Sequence, residues 1–375
     1  MQAPIRNRVQ LINLATTSFS TPLLFAIGVL LMLFPSHVSA KACTPEIYAA
    51  LRSKDITRSA PVSISCDLSL SKNDVILQRL NYNGSKASDT TLDCHGATID
   101  GSARKDLTVA IVSQQRSDTT WDAPSGITLK NCIIKGDLRI QGLTANSKGD
   151  WLRLSSLQRG HTERAQAYAP SNVELSNMTF ISIGRIPLYI GIGTTGLVIK
   201  GSNFSGKLAG TAIYMEAESA NNKIIGNKFN ISSNRELIAV DGSAYNIIAN
   251  NIFENPINGG IFLYRNCGEN GIIRHQSPQY NKISHNTFIY KSSPNVKPSI
   301  WLNSRNGNSP VCFTDPAYPF GSSLSNLDFA KFNIVDNNNI RGTVDKISLI
   351  KNDDPTNKVF DNNQKQHDLS RQKMK

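Results

Sequence analysis

The sequence predicts an all-β solenoid, a parallel β-helix, on three observations. Four short runs alternate apolar with other residues. A second apolar unit, ending in Phe or Ile, recurs along the chain. Successive copies of that unit from Asn177 to Asn250 are 24 or 25 residues apart, and the spacing lengthens to 35 and 52 after them. The alternating runs are 212–216, 237–241, 260–264 and 299–303. Period two marks a strand with one buried face. Aligned, the inward columns read Ile213/Ile238/Ile261/Ile300 and Met215/Val240/Leu263/Leu302. The outward columns read Tyr214/Ala239/Phe262/Trp301 and Glu216/Asp241/Tyr264/Asn303. Leu188-Tyr189-Ile190-Gly191 and Leu138-Arg139-Ile140-Gln141 extend the same register upstream.

The second unit is aliphatic-x-aliphatic-x-Asn/Gly-x-x-Phe. Its bend residues are Asn177, Gly201, Gly226, Asn250, His285 and Asn337, with an earlier copy at Asn131. Asn and Gly tolerate the left-handed conformation that a sharp bend between two strands requires. Stacked asparagines can also form side-chain ladders. A leucine-rich repeat shares the period but needs a fixed Leu/Asn pattern and a helical segment, and neither is found. The long insertions, 143–171, 265–280 and 304–332, all follow the same strand. They are therefore expected to rise on one side of the solenoid and wall a groove, or, for 143–171 and 304–332, to fold back over the outward aromatic row.

Composition agrees with a narrow-cored exported protein. Hydrophobic residues make up 39% and the formal net charge is +12. A basic surface favours polyanions, although the charges are scattered and a merely solvated surface is the other reading. Residues 1–40 carry Arg6 and Arg8, an apolar run 23–34 and Val38-Ser39-Ala40 before Lys41. This is the pattern of a signal peptide. The run would span about 18 Å as a helix, short of the roughly 30 Å hydrocarbon layer. An uncleaved anchor is the alternative; no stable membrane insertion is expected. The mature chain is read as secreted or periplasmic and monomeric.

Six cysteines form an even count, and export permits disulfides. Three local bridges are expected: Cys43–Cys66, Cys94–Cys132 and Cys267–Cys312. Residues 41–88 read as an N-terminal cap, with a helix from Thr44-Pro45-Glu46 covering the first apolar layer. The β-helix is expected over 89–345 and a polar tail over 346–375. Export and the lack of a clustered basic arm disfavour nucleic acid.

The Asn-x-x-Phe units, the segment Leu92-Asp-Cys-His-Gly-Ala-Thr-Ile-Asp-Gly101 and the export signal resemble the right-handed parallel β-helix, or pectate-lyase-like, superfamily. The resemblance covers about residues 90–345. It implies right-handed coils and leaves the reaction open, because lyases, hydrolases, epimerases and binders share the fold. The Asn-Thr-Asp, Asp-Asp and Gly-His-Gly set of the polygalacturonase-type hydrolases is not found, nor is the Asp-Pro-His-Asp of the alginate epimerases.

Chemistry is expected in the outward columns. Glu216 and Asp241 are neighbours in one column, about 5 Å apart. Three readings remain open. They are a general acid and base for a glycosidic bond. They are, with Glu218, ligands for Ca²⁺. Or they are ion-paired to loop arginines. The superfamily resemblance implies acidic residues on successive coils followed by a basic residue, and Glu216, Glu218, Asp241 and Arg265 follow that order. Arginine is an awkward base, so Tyr264 or His275 is the alternative, with Arg265 neutralising a sugar carboxylate. Tyr189, Tyr214, Phe262, Trp301, Asn303, Arg274 and Arg305 are the candidate substrate contacts. The leading expectation is a lyase cleaving an acidic polysaccharide by β-elimination. A glycoside hydrolase and a non-enzymatic glycan binder are the alternatives. His95 and His161 read as incidental.

Overall fold

The computed structural model describes residues 41–57, 60–104, 106–117, 120–143, 149–266, 271–293, 295–306, 325, 327–344 and 349–366. They form a right-handed parallel β-helix. Three parallel sheets of ten strands each run its length, and every coil contributes one strand to each sheet. The first sheet holds Leu138–Gln141, Leu188–Ile190, Ile213–Met215, Ile238–Asp241, Ile261–Tyr264 and Ile300–Leu302. Its register is the one the alternation predicts: Ile213 pairs with Ile238, Ile238 with Ile261, and Ile261 with Ile300.

The recurring unit joins the second and third sheets. Asn131, Asn177, Gly201, Gly226, Asn250, His285 and Asn337 all adopt φ between 53° and 66°, which turns the chain between the two strands in one residue. The residue after the bend starts a ladder. From Asn227 the backbone N–H bonds to Asn251 Oδ1, and so on through Asn286, Asn338 and Asn362, at 2.9–3.0 Å. A parallel ladder joins Asn222, Asn246, Asn281, Asn333 and Asn357. Inside, Phe180, Phe204, Phe229, Phe253 and Phe288 stack at 4.6–4.8 Å. The spacing of the coils makes each of these columns a continuous contact.

The stack begins earlier and ends later than the repeat pattern indicates. The N-terminal cover is the single helix Pro45–Arg52, with Leu51 buried and no side-chain cap from Thr44. Val62–Ser63, Leu68–Ser69 and Val75–Ile76 already form the first coil. Ile350–Asn352, Lys358–Phe360 and Asn363–Gln366 form a tenth. Lys358–Phe360 is exposed throughout, so backbone pairing and the Asn357 and Asn362 rungs hold this coil without an alternating pattern. Cys43–Cys66 and Cys94–Cys132 are bonded; Cys267 and Cys312 lie outside the described residues. Among the described residues no helix is long and apolar enough to cross a membrane.

The ladders carry a testable load. Asn251→Ala removes the acceptor for Asn227 N–H and the donor to Ile224 O, leaving both buried groups without that partner. The expected loss is about 1–3 kcal/mol in denaturant unfolding. Asn250→Gly, at the exposed bend beside it, should stay within about 0.5 kcal/mol.

Candidate functional site

The first sheet's outward face was expected to be covered either by sugar in a groove or by insertions folding back. Insertions cover most of it. Helices Asp150–Ser156 and His161–Ala167 come from the first insertion, and 271–276 and 327–330 come from the other two. Gly193 marks where the first cover seats. It adopts φ +75°, and a Cβ there would lie 2.2 Å from Ala165 O. Only glycine lets the end of the His161–Ala167 helix approach this closely. The cover leaves Glu216, Glu218, Asp241, Tyr264, Arg265, Arg274 and Asn303 buried.

The acids beneath the cover face separate partners. Glu216 accepts a short hydrogen bond from Tyr189 and lies 3.6 Å from Arg274 Nη2. Asp241 accepts a short bond from the Tyr214 hydroxyl, and Asn266 reaches both of its oxygens at 2.6–2.7 Å. Glu218 takes the Thr162 hydroxyl and, at 2.8 Å, the His275 backbone N–H. Among the described residues, no three His, Cys, Asp or Glu side chains converge as a metal site. Glu216, Glu218 and Asp241 therefore do not fit Ca²⁺, because each oxygen set points at its own protein donors. The ion-pair reading is the one that Arg274 fits.

Sequence reasoning missed half of this network. Glu236 Oε1 accepts Arg235 Nη2 at 2.7 Å and the Tyr264 hydroxyl at 3.1 Å. Arg305 lies 3.7 Å over the Tyr264 ring. Asp328 accepts the backbone N–H of Arg265 at 3.0 Å and of Arg305 at 2.8 Å. Four arginines (235, 265, 274, 305) thus share the region with five carboxylates (216, 218, 236, 241, 328). The balance is near neutral, and burial raises the Asp328 carboxyl to about 6. Burial pulls the Arg265 guanidinium down to about 10. Its Nη2 donates to Leu327 O and it sits over Phe329, so as placed it props the loop. Tyr214 and Tyr264 are pushed well above the usual phenol range, by burial first and then by Asp241 and Glu236 respectively. Both are neutral donors.

The His161 reading is corrected. His161 is fully buried in the cover. Its Nδ1 lies 3.0 Å from Ser155 Oγ and its ring meets His275 at 5.1 Å. His275 Nε2 lies 2.7 Å from Ser156 O. His275, itself partly exposed, thus joins two insertions to each other.

What stays accessible is a partly exposed stripe. Arg139 stacks over Tyr189 at 4.8 Å, and Tyr189 on the partly exposed Tyr214 at 5.3 Å. Phe262 meets the partly exposed Trp301 edge-on at 5.4 Å, and Lys351 sits 4.3 Å above that indole. Beside Asn303 a cavity of about 210 Å³ opens between Asn306, Phe329, Lys331 and Asp354.

No family model matches the chain, and no curated protein matches it. Among solved structures it is similar to the Streptococcus pneumoniae surface protein and adhesin PfbA, at 12% identity and TM-score 0.46, covering 87% of this chain and 83% of that one. ORF18 of Geobacillus virus E2 is similar at 11% identity and TM-score 0.43, covering 79% and 51%; the chain spans about half of its length. The A-module of the Azotobacter vinelandii mannuronan C-5 epimerase AlgE4 is similar at 12% identity and TM-score 0.38, covering 79% and 76%. Likenesses of this size carry no argument about activity.

Burial, then the charges of His275, Arg274 and Arg164, holds His161 down to about 3 from an ordinary 6.5. The folded state refuses a proton that the opened state accepts. The cover's stability is therefore full above pH ~6.5 and falls as pH drops toward ~3. Amide protection over 150–167, corrected for intrinsic exchange, should decline across that window. In His161→Gln the decline should flatten; an unchanged slope would assign it to another group.

Proposed function

We propose that this is a carbohydrate-active β-helix protein of the cell exterior whose first-sheet stripe binds an acidic polysaccharide. One observation carries the reading. The stripe leaves rings and cations partly exposed, while Glu216, Glu236 and Asp241 of the same sheet region are buried and partnered. Aromatic faces suit sugar rings, and Arg305 and Lys351 supply positive charge, with Arg139 held by Asp137 at 3.4 Å. Two disulfides suit an oxidising compartment, and residues 1–40 supply the export signal in this reading. A protein of this kind would act as a monomer.

A second reading, β-elimination, is favoured by the hydrogen bond from Tyr214 to Asp241. A raised phenol is no free base. With Asp241 accepting its proton in the same step, Tyr214 could take the proton α to a sugar carboxylate while the β C–O glycosidic bond breaks, a C=C bond forms and the leaving oxygen takes a proton from water. Asn266 and Arg305, which are bonded to each other, would meet that carboxylate. Arg265 and His275 would hold the loops in this scheme. The hydrolase reading of Glu216 and Asp241 loses support because Glu216 is enclosed with Tyr189 and Arg274.

Incubation of the purified protein with uronate and neutral polymers, recording binding, ultraviolet absorbance and reducing ends, separates these readings. Uronate polymers should bind, and neutral ones more weakly. Trp301→Ala should weaken binding about tenfold or more. Raising salt from 50 to 500 mM should weaken it further. Elimination predicts absorbing products that vanish in Tyr214→Phe while binding changes less than about threefold. Binding of neutral and acidic polymers alike would contradict the acidic-ligand reading.

A further inference from the structure

A second cavity lies on another corner of the solenoid, away from the first-sheet stripe. It arises from a strand-length mismatch. Lys228–Ser233 in the third sheet is six residues long and Thr287–Ser293 is seven, but Ile252–Glu254 between them is three. Only Lys228 and Phe229 pair with that middle strand. The chain then turns away at Asn255, with φ 52°, leaving a notch one strand wide. Its flanking strands are about 9.6 Å apart, two coil spacings.

The notch is capped for hydrogen bonding by its own asparagines. Asn258 Nδ2 donates to Ser233 O at 2.8 Å, and Lys291 N–H donates to Asn255 Oδ1 at 3.2 Å. A peptide strand is therefore not the best occupant. What remains is a cavity of about 150 Å³, below the roughly 300–1,000 Å³ of drug-sized sites. Asn230, Ser232 and Asn258 offer amide and hydroxyl groups on its walls, and Leu237 and Pro256 give it apolar surface. That mixture suits the polar rim and apolar faces of one sugar ring.

Charge then selects among sugars. Glu254, the acid in the wall, is paired with Lys228 at 2.7 Å. Arg235 at the rim is paired with Glu236 at 2.7 Å. Lys291 is exposed on the opposite rim, and among the described residues no carboxylate lies within ion-pair distance of it. The net charge presented to a ligand is positive and localised on one side.

We infer that the notch bounded by Asn230–Ser233, Asn255–Asn258 and Lys291 is a second saccharide site, taking a single uronic-acid unit whose carboxylate meets Lys291. It rests on the proposed reading of the stripe only for the ligand class, not for any residue. Arg235 at the rim also donates to the buried Tyr264 Oη at 3.1 Å.

The test uses glucuronate and glucose as probes on the full chain, followed by ligand-observed saturation-transfer NMR with titration. Wild type should show saturable glucuronate binding and about tenfold weaker glucose binding. Lys291→Glu should weaken glucuronate about tenfold or more and leave glucose within about threefold. Asn258→Ala should weaken both sugars. Trp301→Ala should leave glucuronate binding unchanged. Lys291 is exposed, so its replacement leaves the core intact, and Trp301 lies on another sheet from the notch. Absence of glucuronate binding to wild type overturns the inference, as does equal binding by Lys291→Glu. Loss in Trp301→Ala alone would move the sugar to the stripe and also overturn it. A protein that binds uronate polymers but not glucuronate loses the notch and keeps the stripe.

Discussion

Every position in this molecule answers to its copy one coil away. Parallel coils repeat at about 4.8 Å, so a residue's nearest neighbours include the residues at the same position above and below. A column must therefore tolerate itself. Phenylalanine on phenylalanine does, and so does asparagine on asparagine, because each amide can both give and take a bond. The interior phenylalanine stack and the two buried amide ladders are the direct result. A carboxylate on a carboxylate does not, and that difference shapes the first sheet.

Glu216 and Asp241 occupy adjacent rungs of one column and would repel if left alone. Two sets of contacts offset that repulsion under the cover. Tyrosines one position back in the stripe donate to them, Tyr189 to Glu216 and Tyr214 to Asp241. Arg274 approaches Glu216, and Asn266 grips Asp241. The insertions then exclude water. The covering loops are thus tied to the sheet by charge: removing one partner would leave the other buried and uncompensated, a loss far larger than a surface pair can cause. The same arrangement leaves rings and cations as the accessible chemistry, the basis of the proposed acidic-glycan reading.

The solenoid was legible because its signals are periodic. Alternation gave the first sheet's register residue for residue, and the bend positions all proved left-handed. The last coil escaped because backbone pairing holds Lys358–Phe360 without an apolar pattern; the first buries Val62, Ile64, Leu68, Leu70 and Ile76, but its strands are two residues each, too short to show a period. At the site, column membership could be read from sequence and exposure could not. Whether Asp241 faces solvent depends on 150–167, 271–276 and 327–330, and these segments have no repeat to align. Glu236, Asn266, Asp328 and Thr162 were missed for that reason. Glu236 precedes its strand by two residues, and the other three lie in insertions. His161 had one usable hint, its place in the longest early insertion, but a lone histidine gives no sign of what it packs against. The notch left a faint trace: Asn255-Pro256 cuts the middle strand short where its neighbours run on.

The central claim is that an acidic glycan lies along the exposed stripe of the first sheet. A crystal structure of the protein soaked with a uronate tetrasaccharide tests it most directly. The account predicts sugar density running along the solenoid axis beside Tyr214 and Trp301, with carboxylates directed at Arg139, Arg305 or Lys351. Density confined to another sheet, or an oligosaccharide on this face with its carboxylates turned to solvent, would contradict it.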